Sequence, residues 1–300
     1  MTQIKTYDIS NQRGDTLSII NFGARLISWH TRVNNEIRNI VLGYETLEDY
    51  LIDPSYLGAI VGPFANRIGG ARCSISGKEI SLTPNEGDNQ LHGGDNALAH
   101  QFWLCQKHSA NSLTLTCELK DGFNGYPGDI NVAVIYEITN TSELTISIKV
   151  NTDKVTIAGP TAHPYFNLNK GNGSTEHRLK KHELKIFSDH YTPINNAGIP
   201  LGEIKEVEGT EYDFRTSRFI SCAANSKPLD NNFLIVNIID NGVGRKESQK
   251  INKKREIRHK SYGTKIIEDR IKLFNDFSLK FKMFFGKVTF ILQRDGIDSN

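Results

Sequence analysis

Two histidines of this 300-residue chain stand in frames able to do chemistry, Asn89-Gln90-Leu91-His92-Gly93-Gly94 and Thr161-Ala162-His163-Pro164-Tyr165-Phe166-Asn167. Imidazole is the side chain whose ordinary pKa lies closest to neutrality, so a pair of them points to proton transfer or to metal binding. Each frame sits in a loop between strand-like runs. The flanking Gly93 and Gly94 would allow backbone to come close to a ligand. Tyr165 and Phe166 would supply an aromatic wall beside His163.

The elements that must position these loops are read from periodicity. Leu17-Ser18-Ile19-Ile20-Asn21 and Arg25-Leu26-Ile27-Ser28-Trp29 are strand-like, and Ser112 to Cys117 alternates cleanly between polar and apolar. Residues Asn131 to Ile138 and Leu144 to Val150 alternate likewise, with Asn140-Thr141-Ser142-Glu143 as the turn between them. Many short strands with Gly, Asn and Pro punctuation predict an all-β sandwich or barrel rather than an α/β fold.

Composition narrows the class. The apolar content is 38% with a mean hydropathy of -0.41, and no run approaches the roughly 18 apolar residues of a membrane span. Met1-Thr2-Gln3-Ile4-Lys5 leads into strand-like sequence rather than a signal peptide, so a cytoplasmic protein with no membrane partner is expected. Cys73, Cys105, Cys117 and Cys222 form no CxxC pair, and are read as reduced structural residues.

Charge is uneven. Residues 238–300 hold 15 Lys and Arg against 8 Asp and Glu, whereas residues 1–237 hold 21 against 26. Near the same point the residue usage changes: 245–275 is rich in Lys, Arg, Glu and Ile, and Tyr262 to Phe274 has helix-like spacing. Two strand-like runs follow, Leu279 to Phe285 and Lys287 to Gln293. A junction between units of different origin is therefore expected near Asn237. The basic run Arg245 to Lys260 lacks interleaved aromatics and reads as a solvated helix face, not a nucleic-acid site.

Further frames accompany the two histidines. Gly62-Pro63-Phe64-Ala65-Asn66-Arg67-Ile68, Asp121-Gly122-Phe123-Asn124-Gly125-Tyr126-Pro127-Gly128 and Gly198-Ile199-Pro200-Leu201-Gly202 occur with them in one order. Together these frames resemble the aldose 1-epimerase (galactose mutarotase) family over about residues 15–236. The resemblance implies an antiparallel β-supersandwich with a sugar cleft and no metal or organic cofactor. It also implies a reaction, interconversion of the α and β anomers of a free hexose such as galactose or glucose through the open-chain aldehyde.

That chemistry needs a base at the C1 hydroxyl and an acid at the ring oxygen. By the resemblance His163 is the general acid, and His92 hydrogen-bonds the ring oxygen or a neighbouring hydroxyl. Arg67 would bind sugar hydroxyls through its planar fork of donors. Asp230 would accept from sugar hydroxyls, an Asx turn being the alternative. Asn66 would touch a hydroxyl or order its own loop, and Tyr126 and Pro127 would pack or rim the cleft.

The chain departs from the family's pattern at two places. Ala162 stands where the family usually has Asn before the acid histidine. The family's general base, a Glu in a late strand followed by Gln, has no matching frame, and Lys287 to Gln293 contains no carboxylate. Instead Asp240-Asn241-Gly242-Val243-Gly244-Arg245, His259-Lys260-Ser261-Tyr262-Gly263-Thr264, Glu268-Asp269-Arg270 and Leu273-Phe274-Asn275 resemble part of the ATP-binding domain of sensor histidine kinases, over about 238–295. The upstream helix that would supply the Asn for magnesium is absent, so ATP binding is not expected.

The sequence thus predicts a mutarotase-like β-sandwich over 1–237, truncated at its C-terminal side, followed by a basic α+β fragment over 238–300. Its expected partner is a small-molecule hexose. A non-catalytic carbohydrate-binding module keeping Arg67, His92 and Asp230 is the alternative, as is an inactive chimaera.

Overall fold

The described chain is all-β, with helical geometry confined to short 3-10 turns such as Glu48–Ile52 and Leu98–His100. The computed structural model describes residues 3–33, 36–75, 77–168, 182–220 and 231–233, together with the backbone of 283–291. Two compact units are present, Met1–Gly173 with Lys280–Asn300, and Ser174–Leu279. The junction expected near Asn237, the basic run, the helix-like stretch 262–274 and Asp230 lie outside the described residues.

The first unit opens with an antiparallel meander of β1 (Thr6–Ser10), β2 (Thr16–Ile20), β3 (Arg25–Val33) and β4 (Glu36–Asn39). Short strands follow: β5 (Ile60–Val61), β6 (Arg67–Ile68), the hairpin of β7 (Arg72–Ile75) and β8 (Lys78–Ser81), and β9 (Gln90–Leu91). A second antiparallel sheet holds β10 (Leu104–His108), β11 (Ser112–Leu119), β12 (Ile130–Ile138) and β13 (Glu143–Thr152), and β14 (Thr161–Ala162) lies beyond it.

Period-two patterning explains how the two larger sheets meet. Leu113, Leu115, Cys117 and Leu119 point inward from β11, as do Ile130, Val132, Val134, Tyr136 and Ile138 from β12, and Leu144, Ile146, Ile148 and Val150 from β13. They share one core with Ile9, Leu17, Ile19, Leu26 and Trp29 of the first sheet. Burying each large aliphatic side chain contributes about 1.5–3 kcal/mol, which makes this two-layer core the main source of stability. The Tyr136 hydroxyl donates to the Ala24 carbonyl at 2.6 Å, satisfying a buried polar group across the layers. The predicted turn after β12 closes through Thr139 N–H to Glu143 O and Ser142 N–H to Thr139 O.

The second unit contains β15 (Glu183–Leu184), β16 (His190–Thr192), β17 (Lys205–Glu206), β18 (Arg218–Phe219) and β19 (Asn232–Phe233). Strand β15 pairs with β18, and β16 lies between β17 and β19. Tyr191, Val207 and Phe214 are buried in it. The Gly198 to Gly202 frame forms a turn in which Asn195 Oδ1 accepts from the Ala197 and Ile199 amides.

The last described element, β20 (Met283–Ile291), belongs to the first unit and pairs antiparallel along β13, from Glu143↔Ile291 to Asn151↔Met283. Two runs separated at Gly286 were expected here; one strand is found. Gly286 sits in register opposite Ile148, so the ladder passes through the glycine instead of turning at it. The pairing covers the edge that β13 would otherwise expose.

Candidate functional site

Both histidines hang from one stretch of chain, residues 58–68. Strand β14 pairs with β5, with Ala162 opposite Ile60, and the next residue, His163, donates its amide to Ala59 O at 2.8 Å. The His163 carbonyl accepts from Gly58 N–H at 3.0 Å. Strand β9 pairs with β6, Leu91 opposite Arg67, which places His92 beside Asn66. The result is a His92–His163 ring pair, centroids 5.4 Å apart and nearly perpendicular at 84°.

The His92 imidazole is held in one tautomer. The Asn66 backbone N–H donates to Nδ1 at 3.0 Å, while the His92 amide donates to the Asn66 carbonyl at 3.2 Å. A backbone N–H can only donate, so Nδ1 carries a lone pair and the proton of the neutral ring sits on Nε2. His92 therefore presents an N–H donor from Nε2. Its pKa is lowered to about 4, by burial first, then by His163 and Arg67, with Glu86 acting in the opposite direction. The ring is neutral at pH 7.

This shift has a consequence for folding. An unfolded chain would protonate His92 near 6.5, whereas the folded chain holds it neutral down to about 4. Its stabilising contribution is complete above pH 6.5 and is lost as the pH falls through that window, up to about 3 kcal/mol before solvent screening. Thermal melts from pH 7 to pH 4 should show a falling midpoint, with a shallower fall in His92→Gln. Equal slopes would show that His92 is not held neutral.

Arg67 is oriented by Glu86, which accepts from Nε at 2.7 Å and Nη2 at 2.9 Å. This bidentate pair fixes the plane of the guanidinium beside His92. Asn66 is a loop organiser in its visible contacts, its Oδ1 accepting from Arg67 N–H at 2.8 Å. Behind the site, buried Gln90 accepts from the Tyr126 hydroxyl at 2.6 Å and donates to Thr83 O. Tyr126 thus packs, and braces the strand that carries His92.

The flanking glycines and Phe166 also pack within the protein. A Cβ on Gly93, whose φ is +90°, would overlap the Gly62 carbonyl, and one on Gly94 would meet the Asn124 side chain. These glycines let one loop pack closely on another. Tyr165 does flank His163, with ring centroids 5.1 Å apart, but Phe166 bridges to Val41 and packs against the core. Successive residues of an extended segment face opposite ways, which separates the two rings.

Sequence reasoning missed Glu86, Tyr56 and His100. Tyr56 lies edge-on to His92 at 4.7 Å, 5.7 Å from His100 and 6.4 Å from His163, all between ring centroids. Burial and then Arg25 lower the pKa of His100. Nothing in the spacing of these residues announces the cluster. The sequence-expected residues His92, His163, Arg67 and Asn66 come together, while Asp230 is outside the described residues. Among the described residues no group of three or more His, Cys, Asp and Glu is gathered to hold a metal ion, and no helix is long and apolar enough to cross a membrane.

Taken together, the site offers a fixed N–H donor, a second imidazole close by and an oriented guanidinium, a set able to move a proton at a polar oxygen while binding hydroxyls. Comparison with known proteins agrees in fold and in sequence. The aldose 1-epimerase family model matches residues 5–267. An aldose 1-epimerase of Haemophilus influenzae is 33% identical over 226 residues, which is 75% of this chain and 63% of that protein. The chain therefore spans less than two thirds of that relative's length. Crystal structures of an aldose epimerase homologue from C. elegans (TM-score 0.73, 26% identity, 79% of this chain and 73% of the other) and of a galactose 1-epimerase from Lactobacillus acidophilus (TM-score 0.66, 29% identity, 77% and 70%) have a similar fold. The chain belongs to the aldose 1-epimerase family.

Proposed function

We propose that this chain binds a free hexose against Arg67, His92 and His163 and interconverts its anomers by acid–base ring opening. The observation that supports this reading is the perpendicular His92–His163 pair beside a guanidinium held by Glu86. In the proposed step His163 gives a proton to the ring oxygen, and the C1–O5 bond breaks as the C1 hydroxyl loses its proton and becomes the aldehyde. His92 donates from Nε2 to the ring oxygen or its neighbour, and Arg67 binds hydroxyls. Rotation about C1–C2 and reclosure give the other anomer.

The sequence supplies no matching Glu to take the C1 proton, so on this reading water takes it and turnover is slow. Loss of a general base costs about a hundredfold to ten-thousandfold. The test is polarimetry of freshly dissolved α-galactose and α-glucose at high protein concentration. A rate above the spontaneous one supports catalysis. Calorimetric binding of the sugars without any rate increase would favour the carbohydrate-binding reading, for which the missing Glu is the motivating observation. Neither binding nor rate would leave the inactive chimaera.

A further inference from the structure

We infer that Tyr56 is a positioning residue of this site, holding the His92 imidazole in place, and that the buried Arg25–Asp53 pair in turn holds Tyr56. The first observation is convergence of backbone strain. Tyr56, Asn66 and His92 all have left-handed φ, at +55°, +67° and +52°, a conformation that is strained for a non-glycine residue. All three meet at one place, because Asn66 clasps His92 and the Tyr56 ring lies against it.

The second observation is how the Tyr56 loop is pinned. Asp53 accepts from Ser55 N–H at 2.8 Å and Leu57 N–H at 2.7 Å, on either side of Tyr56, and from the Tyr44 hydroxyl and Arg25. Arg25 also donates to Leu57 O and Ala99 O, both at 3.1 Å, tying the loop to the turn that carries His100. Ala59 N–H closes the loop onto Tyr56 O at 3.0 Å. Hydrogen bonds to charged groups are stronger than neutral ones, so several of them together outweigh the strain at one residue.

With the loop fixed, the Tyr56 ring covers one side of His92. Its other charged and titratable neighbours are His163, Arg67 and Glu86. Removing the Tyr56 ring lets water reach the imidazole and frees its orientation.

The experiment is nitrogen NMR of the full chain with labelled histidine, His92 being assigned with His92→Gln. Tyr56→Phe keeps the ring and should leave the His92 titration and tautomer as in the parent. Tyr56→Ala should move the His92 midpoint up from about 4 toward 6.5 and mix the Nδ1-H and Nε2-H tautomers. If Tyr56→Ala does not fold, Tyr56→Leu reads the same quantities. An unmoved midpoint and a single tautomer in a folded Ala or Leu variant would overturn the inference. The functional meaning rests on the proposed sugar chemistry, and the two fail separately. Histidine signals untouched by galactose, with a shifted titration in Tyr56→Ala, would reject the chemistry and keep the positioning role.

Discussion

With His163 as the proposed acid of the proposed reaction, replacing it with Gln is expected to abolish catalysed mutarotation, lowering the rate above the spontaneous background by about a hundredfold to ten-thousandfold. Gln keeps a polar side chain of similar reach but cannot deliver a proton to the ring oxygen. The fold should survive, because His163 is anchored through its backbone, to Ala59 and Gly58, and not through the pairing of its strand alone. His92→Gln should cost less. The neutral His92 ring offers a hydrogen bond from Nε2, and Gln can offer one from its amide, whereas the role proposed for His163 requires transfer. The comparison is made by polarimetry at equal folded concentration, checked by circular dichroism. Equal losses in the two variants, or an undiminished rate in His163→Gln, would reject the division of labour between the rings.

Asp53→Ala is expected to destabilise the protein by about 3–5 kcal/mol, because it leaves a guanidinium buried without its counter-charge. Arg25 and Asp53 are 0% and 3% exposed, and Arg25 lies over the Phe22 and Tyr50 rings, where water cannot take over. Domains are stable by only about 5–15 kcal/mol, so this single change brings the chain close to unfolding. The double replacement Arg25→Met with Asp53→Leu should cost far less than either single loss, since no charge is then stranded. Urea titration of Asp53→Ala, Arg25→Met and the double variant makes the comparison; a double variant as weak as Asp53→Ala would show that the cost is a cavity or the lost hydrogen bonds from Ser55, Leu57 and Tyr44 rather than a stranded charge. Although burial pushes the Asp53 carboxyl upward, hydrogen bonds from Ser55, Tyr44, Leu57 and Arg25 together hold its pKa below the usual value. Its contribution is therefore present above the ordinary carboxylate range and is lost at lower pH than that of His92.

Local patterning carried much of the architecture. Strands β11 and β13 were legible because each alternates polar and apolar residues, and β12 because its large apolar residues recur at every second position even though Ala133 and Ile135 lie between them; a period of two leaves one face to bury. Gly286 shows the limit of such reading. A glycine inside an apolar run resembles a break until the ladder with β13 is seen to continue through it. Gly93 shows another: its frame was right, but whether its missing side chain makes room for a ligand or for Gly62 depends on which loop lies opposite. Glu86 and Tyr56 were missed because neither has a local signature. Glu86 becomes significant through a bidentate pair with Arg67, 19 residues away, and Tyr56 through a ring contact with His92, in another loop.

The amino-acid sequence by itself therefore determined the all-β class and the family, and it singled out His92, His163, Arg67 and Asn66, which the fold brings together. These depend on residue type and on spacing within short frames. Tertiary structure alone decided that the two imidazoles meet at right angles 5.4 Å apart, that His92 carries its proton on Nε2, and that Tyr56 is held beside them by a buried ion pair. Each of those facts depends on distance across the chain, and distance is set by β5 pairing with β14 and β6 pairing with β9, which no local period encodes.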